Sequence, residues 1–165
     1  MQSIREDLEE FRGRLSNGSV QRAYAALLSY MLGLRTRFKN SRLDWTVSGL
    51  YQGYLDMTYF AIFPPQLKQR DLKIAIVFNY AAFRFEAWLA ASNRQMQRQY
   101  WELFRDSHWT DYRVMAPAPG VDSIVECDLA ADFDLSNPGA LTAHIEAGTA
   151  AFIDDMVRFL EKRRL

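Results

Sequence analysis

The chain has 165 residues, 49% hydrophobic and 24% charged, which excludes an intrinsically disordered chain and fits one globular domain over residues 1–165. Lys+Arg 20 balance Asp+Glu 20, and the resulting zero net charge argues against a dedicated nucleic-acid binder. Cys127 is the single cysteine, so an internal disulfide is excluded; the two histidines, His108 and His144, lack ligand spacing, and neither a metal nor a cofactor is expected.

The first residues, Met1-Gln2-Ser3-Ile4-Arg5-Glu6-Asp7, are polar and acidic where a secretory signal would be basic and then apolar. No run approaches the ~18 uncharged apolar residues of a spanning helix. The default expectation is a cytoplasmic protein without a membrane partner. Ser3 and Glu6 form a capping box that opens a first helix. Ile4, Leu8, Phe11 and Leu15 follow at helical spacing, which predicts one buried face. Asn17-Gly18 ends this helix, and Ser19 is the expected cap of a second. Ala23, Tyr24, Leu27, Leu28, Met31, Leu34 and Phe38 give the second helix a broad apolar stripe. The short join predicts an antiparallel pair.

Residues 40–49 read as a connection. Residues 51–63 read as an aromatic-rich strand ending at Pro64-Pro65, with Gly53 as a bend. Residues 66–72 read as a polar loop or one helical turn. Residues 73–80, Lys-Ile-Ala-Ile-Val-Phe-Asn-Tyr, are apolar on both faces, as in a central strand. A turn near Ala81-Ala82 joins them to a strand over residues 83–91, as a hairpin. Ser92 and Gln95 resemble a second capping box, opening a helix to about Asp106 with Met96, Tyr100, Leu103 and Phe104 inward. Residues 107–120 read as a long irregular stretch. Residues 123–129 are a further strand, and Asn137-Pro138 opens a last helix with Ile145, Phe152, Met156, Phe159 and Leu160 inward. Lys162-Arg163-Arg164 complement its C-terminal dipole. The order α-α-β-β-β-α-β-α predicts an α+β domain with a mostly antiparallel mixed sheet flanked by helices.

One row of side chains stands out. In Phe83-Arg84-Phe85-Glu86-Ala87-Trp88-Leu89-Ala90, alternation puts Phe85, Ala87 and Leu89 on one face and Arg84, Glu86 and Trp88 on the other. If the strands pair in sequence, Tyr54 and Asp56 of the preceding strand approach this row. Asn93, at the start of the following helix, lies just past its end. Two readings follow. In one, Tyr54 and Trp88 floor a recess that takes a small molecule or peptide, with Asp56, Arg84, Glu86 and Asn93 as polar contacts. In the other, Arg84 pairs with Glu86 or Asp56 on a solvated face, under an aromatic ring. Glu126 and Asp128 share one face of the later strand. Cys127, on its other face, reads as a buried inert thiol. Arg35, Arg37, Lys39 and Arg42 read as solvated helix-end charge, with phosphate binding as the alternative.

The element order distantly resembles restriction-endonuclease-like domains, which hold magnesium with an Asp on one strand and Glu-x-Lys on the next. The matching positions here are Asp56 and Glu86-Ala87-Trp88. Trp88 stands where that motif has lysine, so the metal-dependent nuclease or phosphoesterase is the alternative function rather than the leading one.

Leu50-Tyr51-Gln52-Gly53-Tyr54-Leu55-Asp56-Met57-Thr58-Tyr59-Phe60, Leu72-Lys73-Ile74-Ala75-Ile76-Val77-Phe78, Arg84-Phe85-Glu86-Ala87-Trp88-Leu89-Ala90, Tyr100-Trp101 and Gly120-Val121-Asp122-Ser123-Ile124 are together similar to a family of small bacterial and archaeal proteins classed as a domain of unknown function. The resemblance spans nearly the whole chain. It implies a free-standing cytosolic domain and assigns no activity or site residue. The expected function is therefore a non-enzymatic binding or interaction module, with a homodimer as a further expectation from the apolar helices.

Overall fold

A computed structural model describes residues 1–163; Arg164, expected at the basic helix end, lies outside the described residues. Helix α1, Ile4–Leu15, opens on the expected capping box: Ser3 Oγ accepts from the Glu6 backbone N–H at 3.3 Å, and Glu6 Oε2 accepts from the Ser3 N–H at 2.7 Å. Helix α2, Ser19–Ser41, follows a turn at Gly18, whose φ of 76° is left-handed. Ser19 does not cap α2. Asn17 Oδ1 accepts from the Ser19 N–H at 3.0 Å instead.

The expected buried face of α1 is not buried. Ile4 is 75% exposed, Leu8 59% and Phe11 51%, and no residue of α1 is buried. The reason lies in α2, which has one deep stripe, Leu27, Met31, Leu34 and Phe38, and packs it against the sheet. Polar contacts between α1 and α2 gather at the joining loop, where Gln21 donates to Leu15 O and Arg22 to Asn17 O.

Then come β1 Thr46–Val47, β2 Met57–Phe63, one-turn α3 Pro65–Lys68, β3 Leu72–Asn79, β4 Arg84–Ala91, α4 Arg94–Phe104, β5 Tyr112–Val114, β6 Ser123–Ala130 and α5 Pro138–Glu161. Among the described residues they make one six-stranded sheet, ordered β1-β2-β3-β4-β6-β5, with antiparallel pairing throughout. The class is α+β, and the eight expected elements occur in the expected order. Two short edge strands are additions: β1 lies within the expected 40–49 connection and β5 within the expected irregular stretch.

Three local expectations are corrected. Residues 51–56 are not strand: Tyr51 makes an isolated bridge to Tyr59, and Gly53 (φ 78°) and Leu55 (φ 63°) turn the chain back. A Cβ on Gly53 would stand 1.9 Å from Met57 O, so the turn needs glycine. Asn93 rather than Ser92 caps α4, its Oδ1 accepting from the Met96 N–H at 2.9 Å. At the β3–β4 turn Phe83 takes a left-handed φ of 53°, and its ring lies 5.3 Å from that of Phe78.

Alternation divides the sheet into two unlike faces. Phe60, Ile62, Ile74, Ile76, Phe78, Phe85, Ala87 and Leu89 point to one side, where α2, α4 and α5 add Met31, Phe104, Phe152 and Met156 to a single core. Cys127 is buried on this side, and burial pushes its thiol up to about 11, so it is inert at neutral pH. On the other face, Ala75 lies opposite Trp88, Val77 opposite Glu86 and Asn79 opposite Arg84. Val77 is fully buried yet lies outside the core cluster, sealed by its neighbours on the sheet rather than by a helix. Among the described residues no long helix crosses this face. Helix α4 borders it with its first turn.

Candidate functional site

The row on β4 is the centre of a polar network. The Glu86 carboxylate has no solvent exposure, and both of its oxygens are fully engaged. Oε1 accepts from Arg84 Nε at 2.7 Å and from the Arg113 guanidinium at 3.4 Å. Oε2 accepts from Trp88 Nε1 at 2.8 Å and from Asn79 Nδ2 at 3.5 Å. Four donors match the four acceptor positions of a carboxylate. Arg84 also reaches Asp128 at 3.2 Å, and Arg113 reaches Asp128 at 2.8 Å and Glu126 at 3.0 Å. Ser123 Oγ donates to Glu126 at 2.7 Å.

The register explains this convergence. Glu86 pairs with Asp128 and Trp88 with Glu126 across β4–β6, and Arg113 pairs with Glu126 across β5–β6. Two bulges in the β4–β6 ladder, at Phe85/Glu86 and Leu89/Ala90, bracket the row. Bulges of this kind re-aim side chains and sharpen local twist. The ion pair expected between Arg84 and Glu86 is therefore present, but it is not solvated on its acidic side. It belongs to a network spanning four strands.

Beside the network, on the β2–β3 side, the face sinks into a recess of about 310 Å³. Ala75 and Ala90 form its floor, since their short side chains leave the depth unfilled. Met57, Tyr59 and Trp88 form its apolar walls. Lys73, Asn93, Arg94, Gln97 and Asp122 line its polar margin. Trp88 belongs to both features: its indole N–H is held by Glu86 while its ring walls the recess. Arg94 is committed within the protein, donating to Asp122 at 2.9 Å, to Gln97 at 2.8 Å and to Val121 O. Lys73 is half-buried and has no hydrogen-bond or ion-pair partner among the described residues.

Of the six residues singled out in the sequence, Arg84, Glu86 and Trp88 meet in the network, and Trp88 and Asn93 line the recess. Tyr54 and Asp56 join neither. Tyr54 is 90% exposed in the 51–56 loop. The Asp56 carboxylate accepts from the Tyr54 N–H at 2.8 Å, and hydrogen bonds from the Tyr54 and Met57 backbones hold it below the usual aspartate value. It stabilises the loop that carries it. Glu86 already has its four donors, and among the described residues no hydrogen bond or ion pair joins Asp56 to any of them. The convergence of Asp56 and Glu86 that a nuclease-like reading requires is not formed. No group of three His, Cys, Asp or Glu able to hold a metal occurs among the described residues.

Three of the four residues of the basic run have partners within the fold, and Lys39 is exposed. Arg35 donates to Ser48 O, Arg37 pairs with Glu146 at 2.7 Å, and Arg42 lies 5.0 Å from the centre of the Trp45 ring. His108 and His144 are exposed. Sequence reasoning did not assign Asn79, Arg113, Tyr59, Lys73, Ala75 or Ala90 to the site. For four of them a signal existed. A hairpin turning through residues 80–83 places Asn79 opposite Arg84, Ala75 opposite Trp88 and Lys73 opposite Ala90. Arg113 carried no comparable signal, because a three-residue edge strand has too little pattern to read.

The chain matches the family described as Domain of unknown function (DUF7000) over residues 4–160, and it belongs to that family. No curated protein and no solved structure matches it. No helix among the described residues is long and apolar enough to cross a membrane.

Proposed function

We propose that this DUF7000 member is a small-molecule binding module, and that its ligand lies in the recess between Trp88 and Tyr59. The observation that supports this is a concave site on the sheet face that no long helix crosses among the described residues. Its volume of about 310 Å³ is at the lower end of ligand pockets, which run from about 300 to 1,000 Å³. Its make-up is also that of a ligand pocket, with two aromatic walls, an apolar floor and a few polar groups at one margin. A flat body of one or two fused rings stacks against the indole while the margin sets its orientation.

The network supplies rigidity. An indole whose N–H is bonded to a buried, fully paired carboxylate has little freedom to rotate. A wall fixed before binding loses little conformational entropy on binding. Catalysis is not part of this reading: Glu86 is enclosed by four donors, and the Cys127 thiol faces the core.

The test is a titration of the isotopically labelled protein with 2-naphthamide, a neutral two-ring aromatic, followed by amide and indole NMR shifts. Shifts are expected at Tyr59, Ala75, Trp88 and Ala90, and Trp88→Ala should weaken binding at least tenfold while Trp101→Ala leaves it unchanged. Shifts confined to other surfaces, or none at millimolar probe, would overturn the reading.

A further inference from the structure

We infer that the ligand of this recess is an anion: a flat unsaturated molecule bearing a carboxylate or phosphate, with the Lys73 ammonium as its counter-charge. The inference rests on the recess being a binding site, and it adds the charge of what binds there.

Lys73 occupies an unusual place for a lysine. It sits on a central strand, opposite Ala90 on β4 and two residues from Ala75, both short and uncharged. It is half-buried beside apolar walls. Among the described residues neither a carboxylate nor a carbonyl satisfies it. Its stem is partly covered while the ammonium keeps contact with water, and the apolar walls beside this unpaired cation strengthen its attraction for an incoming anion.

The other charges around the recess are already neutralised within the protein. Arg94 and Asp122 pair with each other at 2.9 Å. The acids of this face, Glu86, Glu126 and Asp128, stand on the β4–β6 side and are held there by Arg84 and Arg113. Lys73 stands on the β2–β3 side. Trp88 lies between the two groups. The first turn of α4, which borders the polar margin, contains no acidic residue to repel an anion. Among the described residues Lys73 is the one uncompensated charge lining the recess, and a cationic ligand would meet it with the same sign.

Carboxylate and phosphate present the same chemistry to a single ammonium, so the probes separate them. Four naphthalene derivatives share one ring body: 2-naphthoate, 2-naphthyl phosphate, neutral 2-naphthamide and 2-naphthylmethylammonium. Each is titrated by calorimetry into wild type, Lys73→Gln and Trp88→Ala at low and high salt. In wild type at least one anion is expected to bind tenfold or more tightly than the amide, with the ammonium weakest. Raising the salt should shrink that advantage. Lys73→Gln should abolish the anions' advantage over the amide and its salt dependence. The tighter of the two anions identifies the head group. If the amide binds as tightly as both anions in wild type, the recess reading stands and the anion inference fails. If no probe binds, both fail. Should Lys73→Gln not fold, the wild-type ranking and its salt dependence decide the matter alone.

Discussion

Glu86 carries more of this face than any other single residue. It is a carboxylate without solvent, and its stability depends on Arg84, Arg113, Trp88 and Asn79 together. Removing it leaves Trp88 Nε1 and Asn79 Nδ2 without their acceptor, whereas Arg84 and Arg113 keep Asp128 and Glu126, at a cost of about 1–3 kcal/mol. Glu86→Ala is therefore expected to lower stability by about that amount, read as a fall in urea midpoint at unchanged slope. Glu86→Gln keeps the shape but supplies one acceptor oxygen for donors that now have two, so it should destabilise less and release the Trp88 indole N–H, visible as a shifted Nε1–H resonance. A loss under about 1 kcal/mol for Glu86→Ala would mean that water replaces the carboxylate freely. The row itself was legible, because alternation on β4 puts Arg84, Glu86 and Trp88 on one side. Its burial was not legible, because that depends on Arg113 and Asp128 arriving from strands distant in sequence.

At the scale of elements, α1 and α2 show how one signal leads to two outcomes. Both helices carry apolar residues at helical spacing. The stripe of α2 meets the sheet, whereas Ile4, Leu8 and Phe11 of α1 stay in solvent. Periodicity reports which face of a helix is apolar, not what lies against it. The expected consequence is a contrast in stability. Met31→Ala, at a fully buried position, should cost about 2–5 kcal/mol, whereas Phe11→Ser should change stability by less than about 0.5 kcal/mol. Urea denaturation of both variants checks this, and a large loss for Phe11→Ser would show that α1 packs against something in solution. The strand ends follow the same logic. The aromatic run over 51–63 has strand composition throughout, but Gly53 and Leu55 take positive φ, and the ladder begins only at Met57. The short strands β1 and β5 exist because long neighbours offer them an edge, a fact absent from their own residues.

For the whole molecule, the pH dependence of stability follows from what the core encloses. Burial raises the pKa of the Tyr30, Tyr80, Tyr100 and Tyr112 hydroxyls, and it pushes the Cys127 thiol up to about 11. At Tyr112 the acceptor Asp155, 2.5 Å away, adds to the effect. Each group holds its proton more tightly folded than unfolded. Its contribution is therefore complete below the unfolded value and is lost as pH rises through the folded one. Melting temperature is expected to show no loss from these groups up to about pH 9 and to fall steeply above it. Thermal melts at pH 7, 9 and 11 measure this; an unchanged midpoint at pH 11 would mean that these groups are not shielded in the fold. By itself the sequence determined the α+β class, the order of the major elements, the core stripe of α2 and α5, and the polar row on β4. These are local properties, written in periodicity, caps and turns within a few residues of one another. Only the tertiary structure decided that Asp56 serves its own loop, that Arg113 completes the Glu86 network, and that Lys73 and Trp88 share a recess. The physical reason is that a site is made by register between strands. Register places residues from five strands and the first turn of α4 on one face, and no single segment encodes which neighbours it will meet.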